Sequence, residues 1–350
     1  NMDDFVSNNG QSYTYEQSYF STFELNKFRL FFKKEDIEMV KFIDMLKIDY
    51  LGNIIKFSSG LIGKKGKEEI ISEEKINKKW LLGLISGDEM NRYLLSHPNY
   101  FILYDRKILK SGFRDAKYDE PKLLMRQTGD RLISTYECSN LLCLNNLHIG
   151  NQLNISYPLK AILTILNSEL ITYYYRTISL EEGRTMAQTD IETIEKLPIP
   201  QINDKINKAY KQNADYLLFL NATEERRNQL KETIDFFDCK LADSLVYELY
   251  FCEKFHEDEL YSEPKHYLLD IVSKHLTPIE YDRWAELYWK AQLEANITAP
   301  EAQELAALEG ANMQTIGDVY DALRSDLDVE EWIERIRGHE WVRVVEDNHG

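Results

Sequence analysis

The sequence predicts a mixed α/β (α+β) module that is followed by long helices and then by an acidic all-α module. Residues 80–200 alternate short β-branched and aromatic runs with turn residues, a pattern typical of strands. Beyond residue 201 apolar residues recur every three or four positions, as in amphipathic helices. Residues 279–350 contain 17 acidic and 6 basic residues and are rich in alanine. These three observations set the order of the modules.

The elements follow from local patterns in chain order. Residues 1–50 predict a short helix that leads into a strand, and SSGLIGKKGKEEIIS predicts a flexible basic loop because glycines separate its lysines. The stretch SYPLKAILTILNSELITYYYRTI predicts one long apolar helix. The prolines of LPIP, residues 197–200, are expected to end regular structure there.

The C-terminal part of the chain predicts helices throughout. Leu230, Ile234, Phe237, Leu241, Leu245 and Leu249 have helical spacing and predict one long amphipathic helix or a helical hairpin. Packing of this face against the chain's own helices is favoured over binding of a partner. Three or four short helices with Trp284, Trp289, Trp332 and Trp341 in their core are expected after residue 278. The predicted domains are residues 1–200, a helical spacer at 201–278 and the acidic helical module at 279–350.

Length, composition and cysteine spacing exclude several protein classes. With 350 residues, 43% hydrophobic, the chain has enough apolar material for a packed core and about two domains. No apolar run approaches the roughly 20 residues of a membrane span, and no signal-peptide pattern begins the chain. We therefore expect no membrane contact and a cytoplasmic location. Four cysteines without a CxxC pair are expected to be reduced and to bind no metal.

The net charge of −17 is unevenly distributed along the chain. Residues 51–200 carry 20 basic and 18 acidic residues, so the acidity belongs mainly to residues 279–350. A locally neutral or basic surface can bind phosphates while the acidic part of the chain lies elsewhere.

The sequence contains no recognisable catalytic constellation. It has no HExxH, no GxSxG, no P-loop, no glycine-rich loop for S-adenosylmethionine and no Pro-Pro dipeptide. We therefore expect that this chain alone is not an enzyme. A magnesium-dependent nuclease built on Asp105, Glu120 and Lys122 is an alternative. Its Glu-x-Lys pattern occurs three times in the chain and therefore carries little information.

Eight stretches occur in the order and spacing of a known family. They are IIKFSSGLIGKKGK, WLLGLISGDEMNRY, YFILYD, EPKLLMRQTGDRL, CLNNLH, AILTILNSELITYYY, GRTMAQ and LPIPQI. Together they cover roughly residues 45–200 and resemble the TaqI-like C-terminal specificity domain. A later stretch, LADSLVYELYF, resembles the helical segment that commonly closes such proteins. A single stretch such as LPIP is unspecific, whereas eight in order are specific.

The resemblance implies a DNA target-recognition domain of a type II restriction-modification system, as in type IIG enzymes and adenine-specific DNA methyltransferases, including those of phage defence. The implied partners are double-stranded DNA and a methyltransferase/endonuclease domain or subunit. No stretch resembles the methyltransferase domain itself, so S-adenosylmethionine and magnesium are expected only for a catalytic portion outside this chain. The acidic tail is not part of the family pattern. An alternative for it is a protein-interaction or DNA-mimic module.

Residues 121–148 supply polar side chains that suit the edges of bases. Arginine pairs with guanine in the major groove, and asparagine or glutamine pairs with adenine. The base-contact candidates are Arg126, Gln127, Asn145, Asn146 and His148. The phosphate-contact candidates are Lys64, Lys65, Lys67, Arg131, Arg184 and Gln188, because a mobile basic loop can follow a DNA backbone without reading it. Alternatively, Asn145 and Asn146 only complete a turn, and Arg126 or Arg131 pairs with Asp119 or Glu120.

Overall fold

The computed structural model describes residues 34–46, 48–129, 131–179, 188–294 and 297–347. The chain divides into two compact units, residues 1–45 and 46–350. The described part of the first unit is helix α1 (Lys34–Met45), in which Val40 and Ile43 are buried. All strands and the other helices described below belong to the second unit.

The β-structure occupies the first part of the second unit. The strands are β1 (Ile48–Tyr50), β2 (Ile55–Ser59), β3 (Ile62–Gly63), β4 (Ile71–Ser72), β5 (Trp80–Leu84), β6 (Met90–Asn91), β7 (Leu94–Leu95), β8 (Tyr100–Leu103), β9 (Leu109–Ser111), β10 (Lys122–Arg126), β11 (Ser134–Glu137), β12 (Leu142–Cys143), β13 (Leu147–Gln152) and β14 (Pro198–Pro200). The first sheet has the order β11-β10-β13-β2 and is antiparallel. The second sheet has the order β12-β5-β8-β4, in which β12 and β5 are parallel. β1 pairs with β14, β3 with β9 and β6 with β7.

Helices make up most of the chain after the strands. They are α2 (Leu51–Ile54), α3 (Leu159–Leu166), α4 (Glu169–Ser179), α5 (Ile191–Ile194), α6 (Asp204–Leu220), α7 (Glu224–Gln229), α8 (Lys231–Asp235), α9 (Asp243–Glu257), α10 (Tyr267–His275), α11 (Tyr281–Glu294), α12 (Ala299–Ser325), α13 (Leu327–Arg337) and α14 (Glu340–Asp347). A π-helical segment, Phe236–Ala242, joins α8 to α9. None of the helices in the described ranges has the length and hydropathy of a membrane span. The order of sheets followed by long helices confirms the predicted fold class.

Both faces of the first sheet are covered. Successive residues of a strand point to opposite faces, and in β10 Leu123, Leu124 and Met125 are all at most 1% exposed. Leu124 and Ile149 belong to an apolar core that also contains residues of the second sheet. Helix α3 packs against β10 and β11. The first sheet is therefore a rigid support, and the ends of its strands are where polar side chains can reach solvent.

Three predicted elements differ from the structure. The stretch at 58–72, predicted as a flexible basic loop, contains β3, a 3₁₀ turn at Lys67–Glu69 and β4. The apolar stretch at 156–178 forms two helices, α3 and α4. Asn167 between them accepts a hydrogen bond from Ser134 N at 3.0 Å and donates one to Ser134 O at 3.1 Å, thereby tying the helix end to β11. Pro198 and Pro200 do not end regular structure but form β14. Proline is tolerated there because β14 lies at the edge of a two-stranded pair.

Contacts cross both predicted domain boundaries within residues 46–350. Trp284 of α11 packs on Phe219 of α6, with ring centroids 4.7 Å apart. Lys160 of α3 forms ion pairs with Asp215 and with Asp282 of the tail. The boundaries at residues 200 and 278 stay predictions, but the described helices on either side of them pack together.

Candidate nucleic-acid interface

One end of the first sheet brings together segments that lie far apart in the sequence. β10 ends at Arg126, which pairs with Leu147 at the start of β13. β2 ends at Ser59, which pairs with His148. The ends of three neighbouring strands therefore lie side by side, and the loops that leave them share one surface.

Four residues with carboxamide side chains, which we call the carboxamide cluster, lie on the segments that leave this sheet end: Gln127, Asn145, Asn146 and Gln188. The backbone N–H of Gln127 donates to the carbonyl of Asn146 at 2.9 Å, and Thr128 forms a β-bridge with Gln188. Asn145, Asn146 and Gln188 are exposed, whereas Gln127 is half-buried. None of the four carboxamide groups forms a hydrogen bond to another described residue. Their donors and acceptors are available to a ligand.

The turn at Asn145 and Asn146 does not itself require asparagine. The N–H of Leu147 donates to the carbonyl of Leu144 at 3.1 Å and closes the turn through backbone atoms alone. Asparagine is favoured in turns where φ is positive or where its side chain bonds the backbone. Neither residue has a positive φ, and neither side chain makes such a bond among the described residues. The alternative that these asparagines only complete a turn is therefore not supported.

The backbone that carries the cluster is held firmly. The carbonyl of Gln127 accepts a hydrogen bond from the N–H of Thr189 at 2.7 Å. On the other side, Gly60 N donates to Leu147 O at 3.0 Å. A Cβ atom on Gly60 would lie 2.2 Å from the carbonyl oxygen of Leu144, so only glycine lets the chain pass this close to the turn.

A cluster of exposed cations, which we call the basic patch, lies on two adjacent loops and on strand β9, which follows the second loop. It consists of Lys64, Lys65, Lys67, Arg106, Lys107 and Lys110, all exposed. The loops are joined because Lys64 N donates to Ile108 O at 2.9 Å and Lys64 Nζ donates to Lys107 O at 2.8 Å. Asp105 in the second loop pairs with Lys79 at 2.6 Å rather than with the patch. The second loop was not among the predicted phosphate contacts, although the three basic residues within 106–110 are visible in the sequence.

The basic patch lies close to the carboxamide cluster. Leu61 forms a bridge with Leu144, next to Asn145. Because an extended chain advances at most about 3.6 Å per residue, the Cα atom of Lys64 lies within about 11 Å of that of Leu61. The major groove of DNA is about 12 Å wide. The backbone distance from this bridge to the first lysine of the patch is therefore no larger than the width of the groove.

Residues 82–199 match the family model of the TaqI-like C-terminal specificity domain. The match confirms the resemblance over these residues, and it supports DNA target recognition in restriction-modification systems. The matched range contains the whole carboxamide cluster and the second loop of the basic patch, whereas Lys64, Lys65 and Lys67 precede it. No curated protein matches the chain.

Two of the predicted base-contact residues have hydrogen-bond partners within the protein. Arg126 donates through Nε to Gly87 O at 3.0 Å and through a terminal nitrogen to Met90 O at 2.7 Å. His148 is 2% exposed, and its Nε2 lies 2.9 Å from Thr189 O. Burial lowers the pKa of His148, which keeps the ring neutral at neutral pH. In this conformation His148 cannot contact a base, and the Arg126 guanidinium is held against the domain.

Of the other predicted phosphate contacts, Arg131, Arg184 and Gln188, the structure describes only Arg131 and Gln188, and these two lie in different environments. Arg131 forms an ion pair with Glu169 of α4, so the alternative partners Asp119 and Glu120 were wrong for it. Arg184 lies outside the described residues. Gln188 is exposed, but it joins the carboxamide cluster rather than the basic patch.

The side chains of the nuclease alternative each have another partner. Asp105 pairs with Lys79, and Glu120 pairs with Lys117 at 3.0 Å. Lys122 is fully buried in an ion pair with Glu137. Over the described ranges, no three His, Cys, Asp or Glu residues are grouped so that they could hold a metal ion. Nothing in this arrangement favours metal-dependent cleavage by these three residues.

Proposed function

We propose that this chain recognises a short sequence in double-stranded DNA and positions it for a methyltransferase/endonuclease portion outside the chain, as in type IIG restriction enzymes. The observation that carries the proposal is the carboxamide cluster, whose hydrogen-bonding groups have no partner among the described residues. It lies beside the basic patch, on a rigid sheet end, within the residues that match the specificity domain.

The two features suit two different tasks. Phosphate contacts supply most of the affinity for DNA and fix the orientation of the protein, while contacts with base edges supply the sequence preference. Lysine and arginine on exposed loops suit the first task because their long side chains can follow the backbone. Carboxamides on a backbone that is already hydrogen-bonded suit the second because little backbone conformational freedom is lost on binding.

The proposed partners follow from the family. The catalytic portion would bind S-adenosylmethionine for methyl transfer and magnesium for cleavage, while the described residues contribute DNA contacts. In a cell such a system would serve phage defence. A methyltransferase/endonuclease domain or subunit is therefore the protein partner that we propose.

Selection from a DNA pool tests the proposal. The full chain is mixed at 50 mM salt with 30-bp duplexes whose central ten base pairs are random, and bound duplexes are recovered and sequenced over several rounds. We expect one short motif to be enriched. The enriched duplex should bind more tightly than the starting pool in fluorescence anisotropy.

The double variant Asn145→Ala/Asn146→Ala should lose the enrichment but keep binding to the pool. A matched control is Gln303→Ala, which removes an exposed carboxamide from helix α12 and should leave the enrichment unchanged. Absence of binding to any duplex, or equal loss of enrichment in the control, would contradict the proposal.

A further inference from the structure

We infer that the carboxamide cluster reads adenine, through the N6 and N7 atoms that its edge presents in the major groove. The inference rests on the proposed function and adds the base that these residues recognise. It follows from which hydrogen-bonding groups at the sheet end are free and which are already engaged.

The arginines at this sheet end, which would suit guanine, are engaged. Guanine presents two acceptors, O6 and N7, to the major groove and is read by paired donors, most often from arginine. Arg126 is held by the carbonyls of Gly87 and Met90, and Arg131 is paired with Glu169. At this sheet end, Arg126 and Arg131 thus each donate to protein acceptors.

The side chains that suit adenine are free. Adenine presents a donor at N6 and an acceptor at N7. A carboxamide offers an oxygen acceptor and an NH₂ donor side by side, so it can pair with both atoms at once. Asn145, Asn146 and Gln188 are exposed, and their groups have no described partner. The cluster is therefore chemically complementary to adenine rather than to guanine.

The position of the cluster supports base contact over an unspecific polar surface. Gln127 and Asn146 are joined by a backbone hydrogen bond, and Thr189 donates to Gln127 O at 2.7 Å. These bonds fix the Cα atoms from which the side chains extend. A polar site of fixed geometry discriminates strongly because an analogue that lacks one partner atom leaves the protein group unpaired.

Single-atom changes in the DNA test the inference on the enriched duplex of the selection described above. Each adenine is replaced in turn by 7-deazaadenine, which lacks N7 but still pairs with thymine. Each guanine is replaced in turn by 7-deazaguanine. We expect the full chain to bind at least one 7-deazaadenine duplex about 5-fold or more weakly, which is the lower limit of the discrimination that a bidentate pair provides.

The protein side of the test uses the same duplexes. The four alanine variants of Asn145, Asn146, Gln127 and Gln188 are tested one by one. At least one of them should bind the normal and the 7-deazaadenine duplex equally, because that variant no longer makes the contact with N7. Gln303→Ala should keep the full difference. Circular dichroism checks that the variants are folded, which is expected because three of the four side chains are exposed.

Two results would overturn the inference while leaving the proposed function in place. One is that only the 7-deazaguanine duplexes bind more weakly. The other is that every carboxamide variant keeps the full discrimination against 7-deazaadenine. A pool from which no motif is enriched would instead overturn the proposed function, and the inference with it.

Discussion

Removal of charge from the second loop of the basic patch should change the salt dependence of DNA binding by a calculable amount. Each phosphate that a cation neutralises contributes about −0.9 to the slope of log K against log salt. The patch carries six exposed cations, so its full engagement would contribute about −5. Arg106→Ala/Lys107→Ala should therefore make the slope less steep by about 2. Between 50 and 200 mM salt, this means that the variant loses about 10-fold less affinity than the natural chain.

The double variant should leave the fold intact. The contacts that join the two loops use the backbone carbonyls of Lys107 and Ile108, which alanine retains. A matched control is Lys208→Ala/Lys274→Ala, two exposed lysines on helices α6 and α10. Asn207, next to Lys208, donates to the carbonyl of Ser156, which lies beyond the end of β13 opposite to the candidate interface. Lys208 therefore lies towards the other end of the first sheet from the basic patch.

Fluorescence anisotropy with one labelled duplex at four salt concentrations measures both slopes. We expect the control to keep the natural slope. A slope unchanged by Arg106→Ala/Lys107→Ala would remove this loop from the interface. A change of equal size in the control would show that the charge acts at long range and not by contact.

Three other predictions concern the scaffold that positions the site. Gly60→Ala should push the neighbouring turn away, lower the free energy of unfolding by about 1–3 kcal/mol and weaken DNA binding. Gly310→Ala, on an open helix surface, should have none of these effects. Urea unfolding measures the stability of both variants, and fluorescence anisotropy measures their DNA binding. Lys122→Met should destabilise the chain by about 3–5 kcal/mol because it leaves the buried Glu137 carboxylate unpaired, and Lys122→Met/Glu137→Leu should recover most of this loss; a double variant no more stable than the single one would refute the explanation. Burial raises the pKa of the Glu248 carboxyl from 4.5 to about 7, so its stabilising contribution is complete below pH 4.5 and is lost as the pH rises through 7. Relative to Glu248→Gln, the natural chain should lose about 3 kcal/mol of stability over that range, and parallel pH profiles in chemical unfolding would contradict this.

Where a local pattern decided the structure, the sequence was sufficient. Apolar spacing predicted strands before residue 200 and helices after it, because the period of two in strands and of 3.6 in helices is set by the backbone itself. Contacts over long sequence distances overrode local patterns elsewhere. The predicted helix at 156–178 is divided at Asn167, whose side chain bonds β11. The prolines of LPIP pair with β1, which lies about 150 residues earlier.

For the candidate site, the sequence by itself determined the supply of side chains: carboxamides near 127, 145 and 188, and lysines at 64, 65 and 67. It also determined the family likeness, because the order and spacing of the eight stretches are visible in the sequence without any knowledge of contacts. Only the tertiary structure decided which of these groups are free. Arg126 and His148 are engaged by backbone carbonyls of residues 36 to 41 positions away, while Asn145 and Asn146 remain exposed. A hydrogen bond between distant residues depends on how the strands are placed side by side, and that placement is set by the burial of the whole core.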